Sequence, residues 1–448
     1  MNFRAYLYLQ LQRLIGSRVD LHWRELQRMV AWSADSYEVH VQQQLDNILG
    51  RAITEIPFYR SLKTDLDPRR LSSFPIMSKP MVTAHFRDLM SDELRWEYDH
   101  GKRRGYRWVE VRSGGTTGVP VAVIHGSDFR DHDRAVRMLQ MELCGFPFGV
   151  PHFRLWGSMQ DINQMKDSLA HRFMALLARE TLLNAFKMED RDKDHYLDRI
   201  EQAGTPYLIA YVDAAAHLAR YALTRGHAPS LTSVMACAGT VTDEARSLIE
   251  TTFNAKVYNK YGSRDAGEIA CECSHGGLHI LPGVVLEVVD DEGNTCADGV
   301  SGRLLVTTLH NRDFPLIRYE IGDCGALSSR QCPCGRPFPL LNRIEGRSTE
   351  FLQSTSGGFI SPVFIRHLIG VVHPPPFLKN YQLEQVDTHQ FILRLECEAT
   401  AGSFDTTALR RDLIKVLGND AQLEILRVES IPLASSGKFQ YVINRLRP

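Results

Sequence analysis

Net charge is almost absent from this sequence: 52 basic side chains stand against 53 acidic ones, leaving −1 at pH 7. Nothing in that balance recruits nucleic acid or an anionic membrane electrostatically. Cysteine is sparse, at nine in 448 residues. That is too few for a disulfide scaffold, and a cytosolic chain would keep them as thiols. Long apolar runs are missing at the amino terminus, where MNFRAYLYLQLQRLIGSRVD is broken by Arg4, Gln10, Gln12 and Arg13. The stretch reads as neither a signal peptide nor a spanning helix, so a cytoplasmic protein is expected. Internal repeats and low-complexity segments are also lacking.

What remains is an ordinary globular composition, 44% apolar and 23% charged. A chain of this length outgrows a single core, which stops growing near about 250–300 residues, so two or more domains are expected. Leu26, Met29, Val30, Val39, Val41, Leu45 and Leu49 follow helical spacing up to Pro57 and predict a helical lead-in. From about 105 to 345, short apolar runs (YRWVEV, PVAVIH, LTSVMACAG, AKVYNKYG) alternate with helical stretches such as DEARSLIETTF. That rhythm predicts an α/β or mixed-sheet domain. Beyond about 346 the texture changes. HQFILRLEC places Phe391, Leu393, Leu395 and Cys397 on one strand face, and the helix TTALRRDLIKVLG and the strand LEILRVESI follow. The expected division is an α/β domain over 1–345 and a small α+β domain over 346–448.

The stretch RSGGTTGVPV, residues 112–121, has too many glycines for a helix or a packed core. Gly114, Gly115 and Gly118 let backbone N–H groups approach a ligand, and Ser113, Thr116 and Thr117 add hydroxyl donors, as in an anion cradle. No lysine follows Gly118, so it is not the phosphate loop of the G-x-x-x-x-G-K-[ST] kind. A tight hairpin turn between YRWVEVR and PVAVIHG explains the composition equally well on its own.

Four further segments decide between these readings: YGSRDAGE (261–268), PLIRYEIGD (315–323), RIEGRSTEF (343–351) and SSGKFQYVINRL (435–446). Taken in order with the glycine stretch, they resemble the adenylate-forming superfamily, in the phenylacetate-CoA ligase-like branch that includes CapK-type proteins. The resemblance spans about residues 40 to 448. It implies a large adenylation domain with a small mobile C-terminal domain. The implied activity joins a carboxylic acid to AMP from ATP with release of pyrophosphate, and then passes the acyl group to the thiol of CoA.

By this resemblance Ser113, Gly114, Gly115, Thr116, Thr117 and Gly118 would hold the β- and γ-phosphates, with Thr117 the foremost hydroxyl. Family members usually carry Thr-Glu after Tyr-Gly-x, whereas this chain has Arg264 and Asp265. Asp265 would take the acidic position that ligates Mg²⁺, with Glu268 as the alternative donor, and Arg264 joins Lys438 in the catalytic set. Tyr261 and Gly262 would flank the adenine, Gly239 would line its other side, and Asp323 would accept from the ribose hydroxyls. Lys438 is the lysine that the C-terminal domain would bring to the reacting phosphate. Residues 343–350 resemble the hinge, with Arg347 near the ribose and Glu350 where aspartate is commoner.

CECSHGGLH (271–279) and CPCG (332–335) offer Cys271, Cys273, His275, His279, Cys332 and Cys334. Three thiolates and one imidazole make a closed structural zinc site. The family resemblance selects Cys273, His279, Cys332 and Cys334, with Cys271 as the substitute for Cys273. The other five cysteines read as packing.

The acid is expected between 207–222 and 237–263, where Ala214, Ala215 and Ala216 leave room for a ring or a medium chain, or else for close helix packing. Expected partners are therefore a small-molecule carboxylic acid, ATP and CoA, with neither nucleic acid nor membrane, and a homodimer is left open. An amine or a carrier-protein thiol is the alternative acceptor. A zinc-organised binding module is the non-enzymatic alternative, and the neutral charge and the ordered nucleotide motifs weigh against it.

Overall fold

In a computed structural model of the chain, the structure describes residues 3–101, 107–112, 121–156, 169–185, 187–204, 207–239, 241, 243–290, 292–345, 352–360, 364–365, 368–373, 378–397, 405–431 and 441–446. The chain divides into two compact units. One comprises Met1–Ser113, Val121–Val150 and Tyr258–Gly346; the other comprises Gly114–Pro120, Pro151–Val257 and Arg347–Pro448.

The first unit begins with helices Phe3–Leu14, Val19–Met29 and Ala34–Glu55. Ser33 caps the last of these by accepting from the Ser36 N–H; that helix stops at Glu55, short of Pro57 as the pattern predicts, and Pro57 then opens a further short helix, Pro57–Ser61, which the pattern did not predict. Strands Trp108–Arg112 and Ala122–Gly126 pair antiparallel from Trp108↔Gly126 to Arg112↔Ala122. The glycine-threonine stretch thus joins two paired strands, although residues 113–120 themselves lie outside the described residues. Helix Ser127–Leu143 follows at once.

The rest of this unit is an antiparallel sheet. Its order is Val284–Val289, Gly302–Thr308, Tyr319–Ser328, Leu340–Glu345, Leu278–Ile280, Gly267–Glu272 and Lys256–Ser263. One side of it packs on Ile48, Leu49, Tyr59, Phe74 and Val82 from the helical lead-in, all buried. Burying such side chains contributes roughly 1.5–3 kcal/mol each before chain entropy is counted.

The second unit contains a parallel sheet in the order Ser233–Cys237, Tyr207–Tyr211, His152–Trp156, Glu180–Asn184. Its strands Ser233–Cys237 and Tyr207–Tyr211 are mostly apolar and buried, which is the pattern of a sheet covered by helices, whereas His152–Trp156 and Glu180–Asn184 carry polar residues such as Arg154 and Glu180. Helix Val212–Arg225 covers it with Ala214, Ala215 and Ala216 buried in the core beside Leu218 and Ala219. The small side chains at 214–216 therefore permit close helix packing. The same unit carries a separate α+β sheet in the order Gln422–Val428, Gln390–Cys397, Leu378–Gln385, Val442–Asn444. Phe391, Leu393, Leu395 and Cys397 are buried in alternation, as the period of two predicts, and pack on Leu409, Leu413 and Leu417 of helix Thr407–Leu417. The architecture is mixed α/β with a separate α+β C-terminal domain. Among the described residues, no helix is long and apolar enough to cross a membrane.

Candidate active site

The segment YGSRDAGE joins strands Lys256–Ser263 and Gly267–Glu272, with a bulge in the pairing between Tyr261 and Gly262. Gly267 has φ +77°, and a Cβ there would sit 2.5 Å from Asp133 Oδ1 and 3.0 Å from the Phe129 ring. Only glycine fits. The turn so formed brings together residues far apart in sequence: the Tyr261 hydroxyl donates to Asp323 Oδ2 at 2.9 Å.

Asp265 is buried, with 2% of its surface exposed. Its Oδ2 accepts from the Tyr319 hydroxyl at 2.7 Å, and its main-chain carbonyl accepts from His125 Nε2–H at 2.9 Å. Its Oδ1 is buried without a hydrogen-bond partner among the described residues. Burial pushes the carboxyl above its ordinary range, opposed by the Tyr319 hydrogen bond and by the charges of Lys79 and Arg264. A buried carboxylate oxygen with no donor is costly unless something cationic or hydrogen-bonding meets it. A divalent cation such as Mg²⁺ suits an oxygen of this kind.

Tyr319 is held there by an unusual residue before it. Arg318 has φ +50°, its N–H donates to Thr307 Oγ1 at 2.9 Å, and its guanidinium reaches Glu287 at 3.2 Å and the Phe74 carbonyl at 3.1 Å. A left-handed arginine costs of order 1–3 kcal/mol, which these contacts offset.

Glu268, the alternative metal donor, has both oxygens engaged. Arg137 Nε and Lys260 Nζ donate to Oε1 at 2.9 Å each, and Gln140 Nε2 donates to Oε2 at 3.0 Å. Burial would raise this carboxyl, but Lys260 and Arg137 together outweigh it and hold the group charged. Of the two acids, Asp265 has the uncommitted oxygen.

Cys273, His279, Cys332 and Cys334 converge, their ligand atoms all within 4.8 Å of one another. Cys273 Sγ lies 3.5 Å from Cys332 Sγ, and Cys334 Sγ lies 3.2 Å from His279 Nε2. Tetrahedral Zn–S bonds of about 2.3 Å imply S···S edges of ~3.8 Å and slightly shorter S···N edges, so the set fits that ion. His279 Nδ1–H donates to the Phe338 carbonyl at 3.0 Å, which fixes the tautomer and turns the Nε2 lone pair toward the thiols. Gly277 makes the approach possible, since a Cβ there would lie 2.7 Å from Cys332 Sγ. Cys271 faces elsewhere, with its Sγ 3.6 Å from Cys144 Sγ.

Gly239 lies in the other unit, after strand Ser233–Cys237 and next to Ala238, whose φ is +59°. Ser113 to Gly118, Arg347, Glu350 and Lys438 lie outside the described residues. Sequence reasoning passed over His125 and Tyr319, which hold Asp265, although a histidine ending the apolar run VAVIH was a visible anomaly. It also passed over a buried cluster of His22, His132 and His310 around Asp128.

Residues 352–445 match the family of the CapK C-terminal domain. Protein CapK of Staphylococcus aureus is 22% identical over 440 residues, covering 96% of this chain and 94% of that protein. A phenylacetate-coenzyme A ligase of Thermus thermophilus is 33% identical over 117 residues, 25% of this chain and 26% of the relative. Among solved structures, 2-hydroxyisobutyryl-CoA ligase in complex with 2-HIB-AMP and CoA superposes with a TM-score of 0.58 at 19% identity, over 93% of this chain and 91% of that one. The chain thus shares the fold of 2-hydroxyisobutyryl-CoA ligase, is similar to Protein CapK along nearly its whole length, and carries a C-terminal region of the CapK type.

Proposed function

We propose that the protein activates a carboxylic acid with ATP and transfers the acyl group to the thiol of CoA. In the first step a carboxylate oxygen bonds to the α-phosphorus while the bond to the β-phosphate oxygen breaks, giving an acyl-adenylate and pyrophosphate. In the second step a thiolate sulfur bonds to the acyl carbon and AMP departs. The observation that carries the reading is the buried Oδ1 of Asp265, without a hydrogen-bond partner among the described residues, in the same unit as the Tyr261–Asp323 pair.

Two anions must meet in the first step, so fixed positive potential is the main requirement. Mg²⁺, when bound, would neutralise phosphate oxygens, and Asp265 is the residue that would hold it. Tyr261 and Asp323 would orient the nucleoside, with Gly239 lining the adenine and Asp323 accepting from the ribose hydroxyls. Ser113 to Gly118 would cradle the polyphosphate through backbone N–H groups. Arg264 and Lys438 would supply charge where it develops, and Arg347 would approach the ribose. The 346–448 segment would turn about residues 343–350 between the two steps, withdrawing Lys438 and admitting the thiol. A structural Zn²⁺ on the Cys₃His set would tie the segment after Tyr261 to the one after Asp323.

The test is pyrophosphate release across a panel of aryl and small aliphatic acids, with and without CoA. Acid-dependent pyrophosphate and a CoA thioester are expected. Turnover that forms no CoA thioester and needs an amine or a carrier-protein thiol would move the acceptor, and release of ADP and phosphate would refute the proposal.

A further inference from the structure

His125 is the penultimate residue of the strand that follows the glycine-threonine stretch, and this side chain does something packing does not require. It is 9% exposed, its ring centroid sits 4.5 Å from that of Phe129, and its Nε2–H reaches across 140 residues of sequence to the carbonyl of Asp265 at 2.9 Å.

The residues on either side are pinned independently. Asn311, fully buried, donates from Nδ2 to the Ile124 carbonyl at 2.8 Å and accepts at Oδ1 from the Gly126 N–H at 3.2 Å. The strand end at 125 therefore has no freedom to slide or twist, and the histidine transfers that rigidity to the Asp265 turn. Asp265 is in consequence held at two atoms, the carbonyl by His125 and Oδ2 by Tyr319, and its remaining oxygen is fixed in direction.

We propose that His125 is a positioning residue for metal-nucleotide binding: it locks the strand leading out of the glycine-threonine stretch to the turn that carries Asp265. The inference rests on the proposed function, since it presumes that Asp265 serves a metal bound to ATP. The physical requirement is geometric. A metal shared between a carboxylate and phosphates needs both partners placed within a few tenths of an ångström, which independent loops do not provide.

The test compares wild-type protein with His125→Leu, which removes the donor, and His125→Gln, whose terminal amide reaches to the Nε2 position. Calorimetric affinities for Mg·ATP and for AMP are measured alongside melting temperatures. His125→Leu is expected to weaken Mg·ATP binding about tenfold while leaving AMP affinity within twofold, and His125→Gln to restore most of the loss. If His125→Leu fails to fold, His125→Asn replaces it, its amide being one methylene too short. Equal loss of Mg·ATP and AMP affinity, or unchanged Mg·ATP affinity in the donor-less variant, overturns the positioning role. A wild-type protein that binds neither nucleotide overturns the functional reading instead.

Discussion

The Tyr319 hydroxyl donates to Asp265 Oδ2 at 2.7 Å, and both side chains are buried, one in the segment PLIRYEIGD and the other in YGSRDAGE. That one bond joins two sequence motifs and leaves the second carboxylate oxygen of Asp265 as the one without a partner. Removing the hydroxyl in Tyr319→Phe leaves a buried carboxylate oxygen unsatisfied, which costs about 1–3 kcal/mol. Urea denaturation should show a lowered midpoint with an unchanged slope. An unchanged midpoint would mean that the bond has no structural weight.

Asp265→Asn should act on the metal rather than on the fold. The substitution keeps the shape and removes the charge, so Mg·ATP affinity should fall by tenfold or more while AMP affinity holds. Titration of Mg²⁺ at fixed ATP checks this, and a Mg²⁺ dependence equal to that of the wild type would reassign the metal to another group.

The Cys₃His set should hold one zinc ion per chain. Metal analysis of Cys332→Ser should show that zinc is lost, with a fall in melting temperature of several degrees. Gly277→Ala should weaken metal retention through the collision with Cys332 Sγ, although it alters no ligand. Full zinc in Cys332→Ser would refute the ligand assignment.

Acid should destabilise the protein well above the carboxylate range. The rings of His132 and His310 stack at 3.7 Å, and His22 Nε2 and Arg18 Nη1 both lie 3.0 Å from Asp128 Oδ1. Burial comes first in lowering both His132 and His310. His22 adds to it for both, and His310 also for His132, while Asp128, and for His310 also Glu25, pull the other way. A histidine whose folded value is depressed binds its proton preferentially when unfolded, so stability is full above the ordinary value of 6.5 and declines as pH falls below it. Each such group contributes up to about 1.4 kcal/mol per pH unit. Denaturation midpoints at pH 7.5 and 5.5 should differ markedly, and His132→Phe should flatten the difference.

Lys438→Ala should suppress adenylate formation by about a hundredfold or more while sparing thioester formation from a supplied acyl-adenylate. Equal loss in both steps would contradict a lysine that serves only the first.

Much of this was legible in the chain itself. The alternation of Phe391, Leu393, Leu395 and Cys397 marks a strand because the pleat has a period of two, and the Cys-x-Cys pairs mark a ligand set because so few packing arguments require them. The contacts around Asp265 were not legible. A hydrogen bond between residues 125 and 265 leaves no periodic trace, and a single polar residue ending an apolar run has many explanations. Ala214 to Ala216 left pocket and helix packing equally open on composition, and in the structure all three are buried in the core. Cys271 lies in the strand Gly267–Glu272 and Cys273 just past its end. Two thiols two positions apart cannot be told apart by spacing, and only the partners, Cys144 for one and Cys332 for the other, separate them.

The most direct measurement is calorimetric titration of ATP into the full chain, with magnesium and then with magnesium chelated. Saturable binding of one nucleotide per chain at submillimolar concentration, weakened when magnesium is removed, is the predicted result. No heat from ATP at millimolar concentration in the presence of magnesium would contradict the account.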